Sequence, residues 1–327
     1  MANNHSPAAI QVRGLRKSYG RQVVLGGIDF EVAQGTVFSL LGPNGAGKTT
    51  TVQILSTLIA ADDGHVMVGG HDLTRDPDGV RSAIGVTGQF SAVDKFLTGE
   101  ENLVLMADLR HIGKSAGRRR GAELLEQFDL AEAAGKPVAT YSGGMQRRLD
   151  LAMTLVGDPR IIFLDEPTAG LDPRSRRTMW QIVRGLVASG VTVFLTTQYL
   201  EEADQLSDRI AVLDHGRLVA QGTAAELKRL VPGGHISLKF GDATVLERAA
   251  RLLEPTSRDD EALTLELPGS GDVRSLRSVL DRLDGAGIEA DGLSVHTPDL
   301  DDVFLALTGQ PETRLEPQPE PQEAIAR

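Results

Sequence analysis

The chain of 327 residues contains no cysteine. That excludes disulfides, thiolate catalysis and a Cys-ligated zinc, and it fits the cytosol. No run approaches the ~20 consecutive apolar residues of a membrane-spanning helix. The first residues, MANNHSPAAIQV, lack a basic stretch followed by an apolar one, so no secretory leader is expected. Positive charge is also scarce. Against 45 Asp and Glu stand 34 Lys and Arg, a net charge of −11. Nucleic-acid binders carry a basic stripe that replaces condensed counterions, so no nucleic-acid partner is expected. The one dense basic run, Arg118–Arg119–Arg120, reads as a solvated loop or helix start. The acidic total disfavours direct docking on anionic lipid. If the protein works at a membrane, another protein must hold it there. No internal repeat is found.

What is present is a globular composition, 41% hydrophobic and 24% charged, in a chain long enough for two domains. Residues 10–19 and 23–38 alternate apolar and polar and read as antiparallel strands, with Gly26–Gly27 as a turn signal. Residues 36–41 form a short apolar strand, then a Gly-rich loop, then helical spacing from Lys48 to about Leu58. Thr98 and Glu101 fit a capping box that opens a helix to about His111. Residues 122–133 and 145–157 also look helical. The apolar run 161–165 suits a buried parallel strand. Asp172–Pro173 starts a helix that Gly190 closes, and 191–197 is the next buried strand. Strands alternating with helices predict an α/β core with a mostly parallel sheet, spanning 8–230. Beyond the break at Val231–Gly234, a small α+β domain is expected over 235–310, with strands near 235–240, 262–267 and 288–296 and helices near 243–253 and 273–284. The tail 311–327, rich in Pro, Glu and Gln, is expected to be disordered.

Gly42–Pro43–Asn44–Gly45–Ala46–Gly47–Lys48–Thr49 matches the phosphate-loop pattern at every fixed position. Glycines let backbone N–H groups converge on a β-phosphate, and the helix N-terminus adds its positive end. Lys48 would reach the β and γ oxygens and Thr49 a Mg²⁺ ion, with Thr50 beside it. This loop alone leaves kinases and GTPases open. Asp165 and Glu166 end an apolar strand. One carboxylate there can hold Mg²⁺, and its neighbour can polarise an attacking water as general base. A surface pair at a strand end is the plain alternative.

The segment Tyr141–Ser142–Gly143–Gly144–Met145–Gln146–Arg147–Arg148 decides between these classes, because it resembles the signature motif of the ABC ATPases. A small hydroxyl and glycine N–H groups at a helix start suit a γ-phosphate. In that family they serve the nucleotide held by the other subunit. The resemblance therefore implies ATP with Mg²⁺ and a homodimer with two shared sites. Further matches follow the family's order. Gln89 fits the glutamine that contacts Mg²⁺ and water and senses a membrane partner. Asp172 fits the aspartate that faces the other subunit, and equally an ordinary N-cap. Tyr19 fits the aromatic that stacks on adenine, with a core tyrosine as the alternative.

Two positions depart from the pattern. Gln198 stands where the family usually has a histidine against the γ-phosphate. A glutamine amide can donate a hydrogen bond there, yet it carries no charge and relays no proton. Met145 replaces the glutamine after the glycines, at little expected cost.

The runs 88–103, 196–223 and 300–309 are similar to ATP-binding subunits of daunorubicin-resistance-type drug exporters. That resemblance implies a separate membrane-spanning permease, which would hold the chain on the cytoplasmic face of the membrane. Phe90, Val93, Phe96 and Leu97 would line the groove for it, or pack as ordinary core. Val303, Phe304 and Leu307 read as core before partner surface. Two other readings are an ABC ATPase of DNA repair or translation, and a regulatory ATPase with little turnover. The first usually needs insertions or a second module that this chain lacks, and Glu166 argues against the second. A family does not fix a transported molecule.

Overall fold

A computed structural model describes residues 8–89, 92–231, 234–269, 273–296 and 298–309. Phe90 and the tail 311–327 lie outside the described residues. The chain divides into two compact units, Met1–Leu227 and Lys228–Arg327.

Up to the end of the first unit the elements run β1 (Ala8–Tyr19), β2 (Gln22–Ala33), β3 (Val37–Leu41), α1 (Lys48–Leu55), β4 (Asp63–Val68), β5 (His71–Asp72), α2 (Pro77–Ala83), β6 (Ile84–Thr87), α3 (Gly99–Leu109), α4 (Lys114–Gln127), α5 (Gly143–Thr154), β7 (Ile161–Asp165), α6 (Pro173–Ala188), β8 (Thr192–Thr197), α7 (Leu200–Leu206), β9 (Arg209–Asp214), β10 (Arg217–Gly222) and α8 (Ala224–Lys228). The central sheet has the order β10-β9-β3-β8-β7-β6. Its pairings are parallel except β9 with β10. Every residue of β3, β7 and β8 is buried, which is why these strands lack an alternating charged face.

A second sheet, β2-β1-β4-β5, is antiparallel. Its apolar face shares one core with the central sheet, where Phe30, Phe38 and Phe194 pack with ring centroids 5.3 to 5.8 Å apart. The turn expected at Gly26–Gly27 is not there. The hairpin turns at Gly20–Arg21, and Gly26–Gly27 lie inside β2 at a register shift, where Leu15 pairs with Ile28 and Arg16 with Gly26. Gly27 is the bulged residue, with φ 98°. The expected strand 23–38 likewise breaks after Ala33, because Gly35 turns at φ 68°.

A helical layer of α3, α4 and α5 packs a separate cluster around Leu103, Leu124 and Leu149. The expected capping box forms at α3, with the Thr98 hydroxyl accepting from Glu101 N–H and the Glu101 carboxylate accepting from Thr98 N–H. The helix expected over 122–133 instead starts at Lys114 and stops before Asp129, whose φ is 54°. Arg118–Arg120 thus lie within α4. Arg120 pairs with Asp158 at 2.5 Å, which ties one arginine of that basic run to the protein.

The second unit holds β11 (His235–Lys239), α9 (Ala243–Leu253), β12 (Ser257–Asp259), β13 (Thr264–Pro268), α10 (Val273–Gly285), β14 (Gly292–His296) and α11 (Leu300–Thr308). The sheet, ordered β12-β13-β11-β14, is antiparallel. Alternation puts Ile236, Leu238, Leu265 and Leu267 on one buried face, under Leu246 and Ala249 of α9 and Leu283 of α10. Val303 and Phe304 of α11 are buried, while Leu307 is half-buried. Among the described residues, no helix is long and apolar enough to cross a membrane.

Candidate active site

Parallel pairing sets the carboxyl ends of β3, β7 and β8 side by side, with Leu41 opposite Thr197 and Asp165 opposite Thr196. Open α/β sheets bind ligands at such ends. Here β3 runs into the loop 42–47, β7 delivers Asp165 and Glu166, and β8 ends one residue before Gln198.

The loop needs its glycines for space. A Cβ on Gly42 would lie 2.2 Å from the carbonyl oxygen of Leu213. Gly47 is the N-cap of α1 at φ 110°, and its Cβ would meet Leu25 Cδ2 at 2.8 Å. No side chain caps α1, and no acidic residue stands in its first turn. Its leading N–H groups therefore face outward, ready for an anion. Asn44 and Gly45 are exposed, while Thr49 and Thr50 are half-buried.

Lys48 is buried at the head of α1. Its ammonium donates to the carbonyls of Gly42 at 2.8 Å and Pro43 at 3.2 Å. It also lies 3.3 Å from Glu166 Oε1. Burial pulls its pKa below the usual lysine value, and Glu166 and Asp165 pull it part of the way back. Asp165 is buried too. Its Oδ1 accepts from Thr196 Oγ1 at 2.5 Å and from Thr49 Oγ1 at 3.3 Å. The Thr49 hydroxyl and the Asp165 carboxylate form a pair of hard oxygen donors, which fits Mg²⁺. That ion is commonly held by one or two carboxylates, with substrate phosphates and water as its other ligands. No group of three or more His, Cys, Asp or Glu that could hold a metal occurs among the described residues, so any such ion draws further ligands from elsewhere.

Glu166 has φ 48°, a conformation glutamate seldom adopts. Its N–H is held by the Thr196 carbonyl and hydroxyl, both at 3.1 Å. That bend directs the carboxylate toward Lys48.

Ser142 caps α5, its Oγ accepting from Met145 N–H at 3.2 Å. Ser142 and Gly143 are exposed, and no acidic residue occupies the first turn. This is a second anion-ready helix start. Among the described residues, no hydrogen bond joins Ser142, Gly143 or Gly144 to the loop 42–47, Lys48, Asp165 or Glu166. One chain therefore presents two anion-ready helix starts with no hydrogen bond between them.

Residues 25–169 match the family described as "ABC transporter". The chain is 50% identical over 303 residues to the daunorubicin resistance ATP-binding protein DrrA3 of Streptomyces coeruleorubidus, covering 92% of this chain and 96% of that one. The chain belongs to the ABC transporter ATP-binding proteins. It is 47% identical over 321 residues to the doxorubicin resistance ATP-binding protein DrrA of Mycobacterium tuberculosis, covering 94% and 96% of the two chains. Among solved structures, a dimeric post-hydrolysis state of an ATP-binding cassette with ADP and phosphate superposes with TM-score 0.60 at 26% identity, covering 65% of this chain and 98% of that one. The first unit is thus an ABC ATPase core, and the chain is an ABC-type ATPase.

The remaining positions of this ABC ATPase are placed as follows. Gln198 is half-buried just past Thr197, whose carbonyl accepts from Gly42 N–H at 3.3 Å. Gln89 is exposed in the bend after β6. Asp172 caps α6, accepting from Arg174 and Ser175 N–H at 3.0 Å and from the Ser175 hydroxyl at 2.5 Å. The Ser175 hydroxyl is the main cause that holds its carboxyl below the usual range. Tyr19 is 51% exposed at the end of β1, not in the core, with the Lys17 ammonium 5.5 Å from its ring centroid. Phe96 is 94% exposed, while Val93 and Leu97 are half-buried.

Sequence reasoning missed two inward-turned polar side chains, half-buried Arg147 and buried Glu202. Arg147 donates to backbone carbonyls of Gly88, Asp165, Glu166 and Pro167. It stands inside the signature segment, but nothing in its spacing says whether it points inward. Glu202 is fully buried in α7 and accepts from Trp180 Nε1 at 3.1 Å. Burial pushes its carboxyl up, while the Trp180 hydrogen bond pulls the other way. An acidic pair at a helix start, Glu201–Glu202, reads as solvated, so no signal marked it.

Proposed function

We propose that this chain hydrolyses Mg²⁺-ATP in a head-to-tail homodimer and drives efflux of a drug or antibiotic-like molecule through a separate membrane-spanning subunit. The observation that carries the reading is the presence in one chain of two anion-ready helix starts, at Gly47–Lys48 and at Ser142–Gly144, with no hydrogen bond between them. Two copies facing each other complete two sites. In each, Gly42, Asn44, Gly45, Gly47, Lys48 and Thr50 of one chain hold the phosphates, while Ser142, Gly143 and Gly144 of the other meet the γ-phosphate. Tyr19 offers its exposed ring to the adenine.

Thr49, Asp165 and Gln89 would hold Mg²⁺, which supplies charge neutralisation on the β- and γ-phosphates. Glu166 takes a proton from the attacking water, and Lys48 offsets charge on the phosphate oxygens. Gln198 donates its amide N–H to the γ-phosphate in place of an imidazole. Asp172 faces the other subunit while it caps α6. Loss of the γ-phosphate removes the shared contact, so the dimer opens, and differential affinity for the two states sets the work available.

Export rather than import rests on the resistance relatives. Exposed Phe96, in the segment that follows the Gln89 bend, favours a partner surface there over core packing. The chain then sits on the cytoplasmic face of the membrane through that partner. The second unit is an accessory domain by this reading.

The deciding experiment compares Mg²⁺-ATP turnover of wild type and Glu166→Gln, with oligomeric state followed by size exclusion. Expected are turnover in wild type, loss in Glu166→Gln, and an ATP-trapped dimer of that variant. A wild type that binds ATP yet neither hydrolyses it nor dimerises, alone or with its permease, leaves the regulatory reading in its place.

A further inference from the structure

Arg147 joins α5 to both catalytic segments at once. Its side chain is 12% exposed. Nε donates to Pro167 O at 3.0 Å. One terminal nitrogen donates to Gly88 O at 2.9 Å and Asp150 Oδ2 at 3.3 Å. The other donates to Asp165 O at 3.0 Å and Glu166 O at 3.3 Å. A planar guanidinium has a rigid fork of five N–H donors, which suits acceptors spread around it in this way; an ammonium cannot reproduce that fork. Asp150 extends the grip, since its Oδ1 accepts from Ala92 N–H at 3.1 Å. Gly88 and Ala92, on either side of Gln89, are therefore both bonded to α5. Farther along the helix, Thr154 Oγ1 bonds Thr87 Oγ1 at 2.9 Å and donates to Val86 O at 3.3 Å.

The same helix begins at Ser142. Arg147 follows by five residues, about 7.5 Å of helix rise. A displacement of the Ser142–Gly144 turn is thus passed along a rigid rod to the carbonyls of Asp165, Glu166 and Gly88. Burying this cation beside one carboxylate is costly unless its donors are satisfied, and four backbone carbonyls satisfy them. The observed arrangement serves register between segments rather than local charge pairing.

We propose that Arg147 is a positioning residue that locks the Ser142 turn, the Gln89 bend and Glu166 of one subunit into a single register, so that closure on the partner's nucleotide is transmitted to this subunit's own catalytic carboxylate. The coupling rests on the shared-site dimer of the proposed function; the lock itself does not.

The test uses the full chain as wild type, Arg147→Ala and Arg147→Lys. It reads equilibrium binding of a fluorescent ATP analogue, kcat, the Hill coefficient and amide hydrogen exchange. Expected are nucleotide affinity within about threefold of wild type in both variants, with kcat down roughly 100-fold, the scale of a small misplacement of catalytic groups. The Hill coefficient should fall to one. Exchange should quicken in residues 86–89 and 163–169. Arg147→Lys keeps a charge beside Asp150 and should recover thermal stability without recovering kcat. Full recovery of kcat by lysine, or wild-type exchange in Arg147→Ala, overturns the proposal. A parallel fall of affinity and melting temperature, with the kcat of the folded fraction unchanged, overturns it as well. If wild type itself shows no ATP-driven dimer, the shared-site reading has failed, and exchange alone decides the lock.

Discussion

The ammonium of Lys48 lies 3.3 Å from Glu166 Oε1 while donating to the Gly42 carbonyl at 2.8 Å. On the proposed function, the cation that would grip phosphate and the carboxylate that would activate water are thus direct partners. Replacing Lys48 with Ala removes charge-assisted bonds of about 1.5–3 kcal/mol. ATP affinity should fall about 10- to 100-fold by equilibrium binding. Unchanged affinity would remove Lys48 from the phosphate site.

Gln198 follows Thr197, which is bonded to the first residue of the phosphate loop. Gln198→Ala should lower turnover by about tenfold, the net worth of one ordinary hydrogen bond. Gln198→His should retain turnover and add a pH dependence. Imidazole is charged below about 6.5, so the ratio of variant to wild-type kcat should rise as pH falls through that value. A flat ratio between acid and alkaline pH would separate position 198 from the phosphate.

A Cβ at position 42 would meet the Leu213 carbonyl at 2.2 Å, a contact that backbone movement alone can relieve. Gly42→Ala should destabilise the chain by about 1–3 kcal/mol and abolish nucleotide binding. Thermal melting with and without ATP checks both parts. A variant that melts and binds as wild type does would show that the loop relaxes freely.

Glu202 is fully buried, and burial raises its pKa above the ordinary carboxyl value. Above about pH 4.3 the unfolded chain releases this proton while the fold retains it, so the group costs stability as pH rises. Glu202→Gln keeps an acceptor for Trp180 and carries no proton to lose. Its stability relative to wild type should increase from pH 5 to pH 8, read by urea unfolding. A difference that shrinks with pH would show the carboxylate to be ionised and paired in the fold.

Much of the site was legible because its chemistry is contiguous. Gly42–Thr49, Asp165–Glu166 and Ser142–Gly144 are each a short run, and the sheet aligns the first two. Helix starts with local caps were legible too, as at Thr98 and Asp172. The misread segments depended on long-range partners. Gly26–Gly27 looked like a turn because glycine permits one, but the pairing of β1 with β2 made them a bulge. The start of α4 was hidden because residues 114–121 carry four basic residues and four small ones, with little apolar signal.

The sequence by itself determined the nucleotide chemistry and the family, because backbone conformation at glycines, capping hydroxyls and strand-end carboxylates are local properties. Tertiary structure alone decided which polar side chains turn inward. Arg147 and Glu202 look like solvated charges in the chain, and only the packing of α5 against β6 and β7, and of α7 against α6, buries them. Burial then makes each depend on partners far away in sequence, Gly88 and Glu166 for one and Trp180 for the other, because a polar group removed from water must find its hydrogen bonds within the fold.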